Sequence, residues 1–182
     1  MQPRIPRQST GDQAGRRAED DTAGLSAELV AVLAGARRRA LRDGDRQIDT
    51  AHVLHSLLES DPEVNAAFEG EAQVARLLGY LVQRSIGYGL RWQSTVEDSG
   101  AVPVVSGAAG CSPPASAALE QARARAADRG DAPVRGLDLL AAVVADPQSR
   151  AVEVLTRAGI DARELFLRIE ATAQGLEDDL TL

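Results

Sequence analysis

His52 and His55 are the two histidines of this chain, and their spacing invites chemistry. Three residues apart on a helix, two side chains share one face, where two imidazoles can hold a common metal ion. A zinc site takes at least three protein ligands, and the sequence around this pair offers no third. The expectation is therefore a buried or helix-capping His52, an exposed or partly packed His55, and no metal. Cys111, the single cysteine, is the other reactive type, a thiol that would need a positioned histidine as its base. With no second cysteine there is no internal disulfide, which fits a reducing, cytoplasmic setting. All 20 basic residues are arginine, so the chain has neither a GxxxxGK[ST] phosphate loop nor a Schiff-base lysine.

The elements that must position these residues read as helices. The chain has 182 residues and is 44% hydrophobic but only 3% aromatic, so its core must come from Leu, Val, Ile and Ala. That mixture suits close-packed helices and predicts an all-α protein. A net charge of −7 argues against sequence-independent nucleic-acid binding, which works by neutralising phosphates. Arg37, Arg38, Arg39 and Arg42 read as a solvated helix face. The N-terminus lacks a signal-peptide pattern and no apolar run is long enough to span a bilayer, so no membrane association is expected.

An internal repeat organises the rest. GDRQIDTAHVLHSLLES at 44–60 returns as GDAPVRGLDLLAAVVAD at 130–146. Leu33 and Leu119, Ala36 and Ala122, Ala40 and Ala126, Gly44 and Gly130, Ile48 and Val134, and Leu54 and Leu140 all lie 86 apart without a gap. Each copy begins with a helix whose stripe is Leu25, Leu29, Val32 or Leu33, Ala36 and Ala40, or Ala115, Ala118, Leu119, Ala122 and Ala126. Ser26 and Ser112 stand as N-caps, and Gly44 and Gly130 as stops. Second helices follow at about 50–59 and 136–145. Asp61-Pro62 and Asp146-Pro147 read as caps with first-turn prolines that start a short third helix. Fourth helices are expected at about 73–86, with no clear break before it, and at 161–174, stopped by Gly175.

The organisation read from this pattern is a disordered tail at 1–24, a first repeat at 25–86, a linker at 87–110, a second repeat at 111–174 and an acidic tail at 175–182. Trp92 and the Val-Pro-Val-Val run at 102–105 are expected to anchor the linker.

Two such copies in tandem resemble the Clp repeat, the double four-helix N-terminal domain of ClpC- and ClpA-type AAA+ unfoldases. The likeness is carried by Leu25-Ser26, the Ala-rich first helix, Gly44-Asp45, then Ile48-Asp49-Thr50-Ala51-His52 with Leu54, Leu57 and Leu58. It is carried again by Cys111-Ser112-Pro113, Gly130-Asp131, Val134 and Leu139-Leu140. It implies two four-helix repeats forming one pseudo-twofold domain, with His52 at the family's histidine position. Cys111 takes the place of an apolar start residue, which makes it a packed thiol and leaves no catalytic residue. In the family, a glutamate just before that histidine contacts the guanidinium of phosphoarginine. Ala51 and Leu137 stand there instead, and an apolar side chain offers no charge-assisted pair, so no phosphoarginine binding is expected. The resemblance covers no ATPase module, so the expectation is a domain working without a motor.

The function this implies is non-catalytic binding, without a cofactor. Expected partners are substrates, adaptors or cyclic-peptide antibiotics recognised by Clp N-domains, held in an accessory or decoy role of the kind ascribed to stand-alone actinobacterial relatives. The alternative is an adaptor docking on a Clp unfoldase or protease. The residues expected at the ligand surface are Leu25, Ser26, Cys111 and Ser112, near the starts of the first helices.

Overall fold

A computed structural model describes residues 22–85, 110–130 and 133–179. The first repeat contains α1 (Ala27–Asp43), β1 (Gln47–Ile48), α2 (Thr50–Ser60), α3 (Pro62–Ala66) and α4 (Glu71–Ser85). The second contains β2 (Gly110–Cys111), α5 (Pro113–Asp128), α6 (Gly136–Ala145), α7 (Arg150–Arg157) and α8 (Ala162–Asp179). The all-α reading holds, with β1 and β2 forming a two-residue parallel bridge. Trp92, residues 102–105, most of the expected linker and nearly all of the expected N-terminal tail lie outside the described residues.

The two middle helices are the core. Every residue from Thr50 to Leu58 and from Gly136 to Val144 is buried. A helix buried on all sides is expected to be apolar nearly all round, as α6 is but for Asp138, whereas α2 also buries Thr50, His52, His55 and Ser56. The alternative at 32 or 33 resolves in favour of Val32, which is fully buried with Leu29, Ala36 and Ala40, while Leu33 is partly buried. Ser26 and Ser112 cap their helices by accepting from the N–H groups of Leu29 and Ala115. Gly44 and Gly130 follow α1 and α5 at φ of 76° and 85°, a left-handed conformation that costs glycine little.

The copies complete each other across the middle. β1 of the first repeat pairs with β2 of the second, Ile48 opposite Cys111, and Leu25 pairs with Val134 in the symmetry-related bridge. Ser26 N–H donates to the Val134 carbonyl and Val134 N–H to the Gly24 carbonyl, both at 2.9 Å; Ser112 N–H donates to the Ile48 carbonyl at 2.9 Å. Each bridge joins the residue before one repeat's first helix to the residue after the other repeat's turn. Helix α2 also packs on α5, α6 and α7, and α6 packs on α1, α2 and α3.

Three local expectations are corrected. Asp61 caps α3 through the N–H groups of Glu63 and Val64, as read, but Asp146-Pro147 forms a turn in which Asp146 accepts from Gln148 N–H. The third helix of the second copy begins later, with Ser149 as N-cap accepting from Val152 N–H. A serine followed by a long apolar stripe outcompetes the Asp-Pro pair. The first copy does break before its fourth helix, at Gly70, whose φ of 102° suits glycine. Gly175 does not stop α8, which continues to Asp179; glycine inside a helix costs only about 1 kcal/mol.

Gly136 begins α6 at the place Thr50 begins α2. A Cβ at Gly136 would collide with the Asp61 carboxylate and meet Val64 Cγ2 at 3.1 Å. Asp61 is buried and committed to capping α3, so it has little room to move. Gly136→Ala is expected to lower stability by about 1–3 kcal/mol in urea titration. An unchanged midpoint would show that the repeats are not in close contact at this point.

Candidate functional site

The four residues expected at the ligand surface all sit in the two bridges between the repeats. Leu25 and Cys111 are half-buried and each is a bridge residue, opposite Val134 and Ile48. Ser26 is half-buried and Ser112 buried, and each hydroxyl oxygen is used as a helix cap. The pseudo-twofold arrangement makes these two equivalent patches. Ala51 and Leu137 are buried in the two middle helices, 0% and 1% exposed.

The two histidines face different partners. His55, expected exposed or partly packed, is instead buried at 3% exposure because α2 is covered on all sides, and its Nε2 lies 3.3 Å from Glu59 Oε1. Burial, then the guanidinium of Arg39, hold His55 down to about 4, so its ring is neutral at physiological pH. His52 turns instead into a charged junction built from both repeats. Asp49 caps α2 by accepting from His52 N–H at 2.9 Å, and its carboxylate also receives Arg84 from α4 and Arg150 from α7, the latter at 2.8 Å. Beside this pair, Thr50 Oγ1 accepts from the N–H of Ala151, so the first repeat satisfies a terminal N–H of α7 in the second.

The His52 ring lies between carboxylates. Nδ1 is 2.9 Å from Asp49 Oδ1 and Nε2 is 3.0 Å from Asp45 Oδ2 and 3.6 Å from Asp43 Oδ2. When the ring is neutral, Nδ1 can accept from Asp49 N–H at 3.1 Å; when it is protonated, Nδ1–H faces the Asp49 carboxylate. Burial opposes charging the ring, but the carboxylates of Asp45 and Asp49 outweigh it and raise the His52 pKa to about 9. Burial also opposes ionising Asp49, yet His52, Arg84 and Arg150 hold its carboxyl well below the usual range.

The second repeat carries the same junction with its charges exchanged. Arg129 and Asp138 occupy the positions of Asp43 and His52, and Arg129 forks onto both Asp138 oxygens, Nη2 to Oδ2 at 2.7 Å. Asp138 also accepts from Arg135 N–H at 2.9 Å, as His52 can from Asp49 N–H. Across the repeat boundary, Arg135 reaches Glu63 at the start of α3, at 3.4 Å, as Asp49 reaches Arg150 at the start of α7.

Asp43 and Asp45 are the residues that sequence reasoning missed. Among the described residues, the group able to hold a metal ion is Asp43, Asp45 and His52, not His52 with His55. Asp43 ends α1 and Asp45 follows Gly44, and their spacing to His52 carries no signal of its own, because only the direction of the turn brings both acids to the ring.

Elsewhere, the end of α6, the turn after it and the start of α8 enclose a pocket of about 470 Å³. Val144, Ala145, Pro147, Val152, Ala162 and Phe166 line it, with Asp161 and Arg163 supplying charge. Its size and largely apolar lining are those of a small-ligand or side-chain pocket. The Arg37, Arg38 and Arg42 side chains are exposed, as read, but Arg39 departs from that face: its side chain is 13% exposed and pairs with Glu59 of α2. No helix among the described residues is long and apolar enough to cross a membrane.

This duplicated all-α architecture is the Clp N-terminal domain fold. Among solved structures, the chain is similar to the N-terminal domain of the caseinolytic protease associated chaperone ClpD from Arabidopsis thaliana, at 16% identity and TM-score 0.61, covering 84% of this chain and 96% of that one. It is similar to the Hsp104 N-terminal domain from Candida albicans, at 13% identity and TM-score 0.58, covering 80% and 88%. A structure described as part of a malarial protein secretion system matches at 16% identity and TM-score 0.58, covering 82% and 94%. No family model and no curated protein matches the sequence.

Two outcomes follow from the junction. Arg150→Ala leaves the buried Asp49 carboxylate short of a partner and is expected to cost about 3–5 kcal/mol, against no more than about 1 kcal/mol for Glu63→Ala at the exposed counterpart. Equal losses in urea titration would contradict the asymmetry. Because the His52 pKa is raised on folding, its contribution is complete below its unfolded value of 6.5 and disappears as pH rises through about 9. The parent protein should lose up to roughly 3 kcal/mol over that window and His52→Gln much less. A parent whose urea midpoint is flat across the window would contradict the charge assignment.

Proposed function

We propose that this protein is a non-catalytic binding module that captures protein or peptide ligands through a Clp N-domain-like surface. The observation that carries the proposal is the fold: nearly the whole of a chaperone N-terminal domain is reproduced, including both repeats. The finer reading is an accessory or decoy role toward substrates, adaptors or cyclic-peptide antibiotics that such domains recognise, in the cytoplasm of an actinobacterium. The two equivalent patches at Leu25, Ser26, Cys111 and Ser112 are its ligand sites, with phosphoarginine excluded by the buried Ala51 and Leu137.

The apolar pocket beside Phe166 supports this reading by offering concave, greasy surface of the kind that holds peptide side chains. The alternative, docking on a Clp unfoldase or protease to modulate it, draws on the same fold. Copurification of a Clp subunit from cell extract would favour that alternative.

Isothermal titration with a cyclic peptide directed at Clp N-domains, and with phosphoarginine in parallel, separates the outcomes. Saturable peptide binding without phosphoarginine binding is expected. Micromolar binding of free phosphoarginine would overturn the exclusion, and no heat from the peptide would remove the sequestering role.

A further inference from the structure

We propose that Asp43, Asp45 and His52 form a binding site for a divalent transition-metal ion, taken through His52 Nε2 and one oxygen of each carboxylate. The three ligand atoms lie within 4.8 Å of one another. For metal–ligand bonds of about 2.0–2.1 Å, the edge of a tetrahedron is about 3.3 Å. The distances from Nε2 to Asp45 Oδ2 and Asp43 Oδ2, 3.0 and 3.6 Å, bracket that edge.

A cluster of carboxylates alone would be an ordinary acidic turn. His52 is what distinguishes this one. Its ring is 98% buried, and Nε2 makes no well-aligned hydrogen bond although carboxylate oxygens lie close on its open side. Nε2 is thus aimed into a gap between two carboxylates, a place that favours a cation and that a metal ion can take in exchange for a proton. The ring is also oriented as metal-bound histidines are, with its other nitrogen against a carboxylate, Asp49 Oδ1 at 2.9 Å. Ser85 Oγ, 2.9 Å from Asp43 Oδ2, fixes the second ligand in the same manner.

The opposing charges nearby are Arg42, whose Nε is 3.4 Å from Asp43 Oδ1, the oxygen turned away from His52, and Arg84, 4.0 Å from Asp45 Oδ2, whose closer partner is Asp49, which also pairs with Arg150. A bound dication takes the place of any proton on Nε2, which passes to solvent, while Nδ1–H keeps Asp49 as its acceptor. Asp45 is 42% exposed, so an ion can enter from solvent and water can complete its coordination. One imidazole with two carboxylates suits Zn²⁺, Mn²⁺ or Fe²⁺ better than the all-oxygen cages of Ca²⁺. Among the described residues the second repeat shows no counterpart, because Arg129 and Asp138, paired with each other, fill the positions of Asp43 and His52.

The test uses the full chain, stripped with a chelator and titrated with ZnCl₂ by calorimetry at neutral pH. One Zn²⁺ per chain with micromolar affinity is expected. His52→Gln should abolish binding, but it also disturbs a buried junction. Asp45→Asn, at a partly exposed side chain, should weaken binding at least about tenfold while leaving the circular dichroism spectrum unchanged. Absence of saturable Zn²⁺ binding in the parent protein, or Asp45→Asn binding as tightly as the parent, would overturn the site.

Discussion

The backbone exchange between repeats is the constraint on which the rest of this structure depends. Each first helix starts from a residue hydrogen-bonded into the other copy, Leu25 against Val134 and Cys111 against Ile48. Neither copy can place its own first helix without its neighbour, and the buried middle helices find part of their cover there. The charged junction at Asp49 reinforces this. One carboxylate caps α2, holds α4 through Arg84 and holds α7 of the other repeat through Arg150. Charges buried this deeply are tolerable because each is paired and hydrogen-bonded, and removing one partner is costly for the same reason.

Much of the fold was legible in the sequence because the duplication preserves volume and polarity in order. Ala36 and Ala122, or Leu54 and Leu140, recur at one offset and both members of each pair are fully buried. Caps and stops were legible too, since Ser26, Ser112 and Gly44 act through their own backbone neighbourhood. The charge pattern was not, because the copies conserve complementarity rather than identity. Asp43 with His52 becomes Arg129 with Asp138, and Asp49 with Arg150 answers Arg135 with Glu63. An alignment of residue types sees unrelated positions, whereas the structure sees pairs exchanged in sign. The later helices were misread where a local signal met a stronger one, as Asp146-Pro147 yielded to Ser149. Nothing in the sequence showed that Asp43 and Asp45 converge on His52, because that requires the direction of the turn.

The bridges also give the ligand patches their character. Ser26 and Ser112 have their acceptor capacity turned toward helix N-termini, and Leu25 and Cys111 are held by backbone pairing. On the proposed binding role, a ligand there would meet side chains already committed to the bridges and the helix caps. The pseudo-twofold relation offers two related patches to one ligand or to two.

The binding role is tested most directly by nuclear magnetic resonance on the isotope-labelled full chain, titrated with a cyclic peptide directed at Clp N-domains. The account predicts amide shift changes concentrated at Leu25, Ser26, Cys111 and Ser112 and their bridge partners Val134 and Ile48. A spectrum unmoved at saturating peptide, or changes confined to helix faces remote from both bridges, would contradict it.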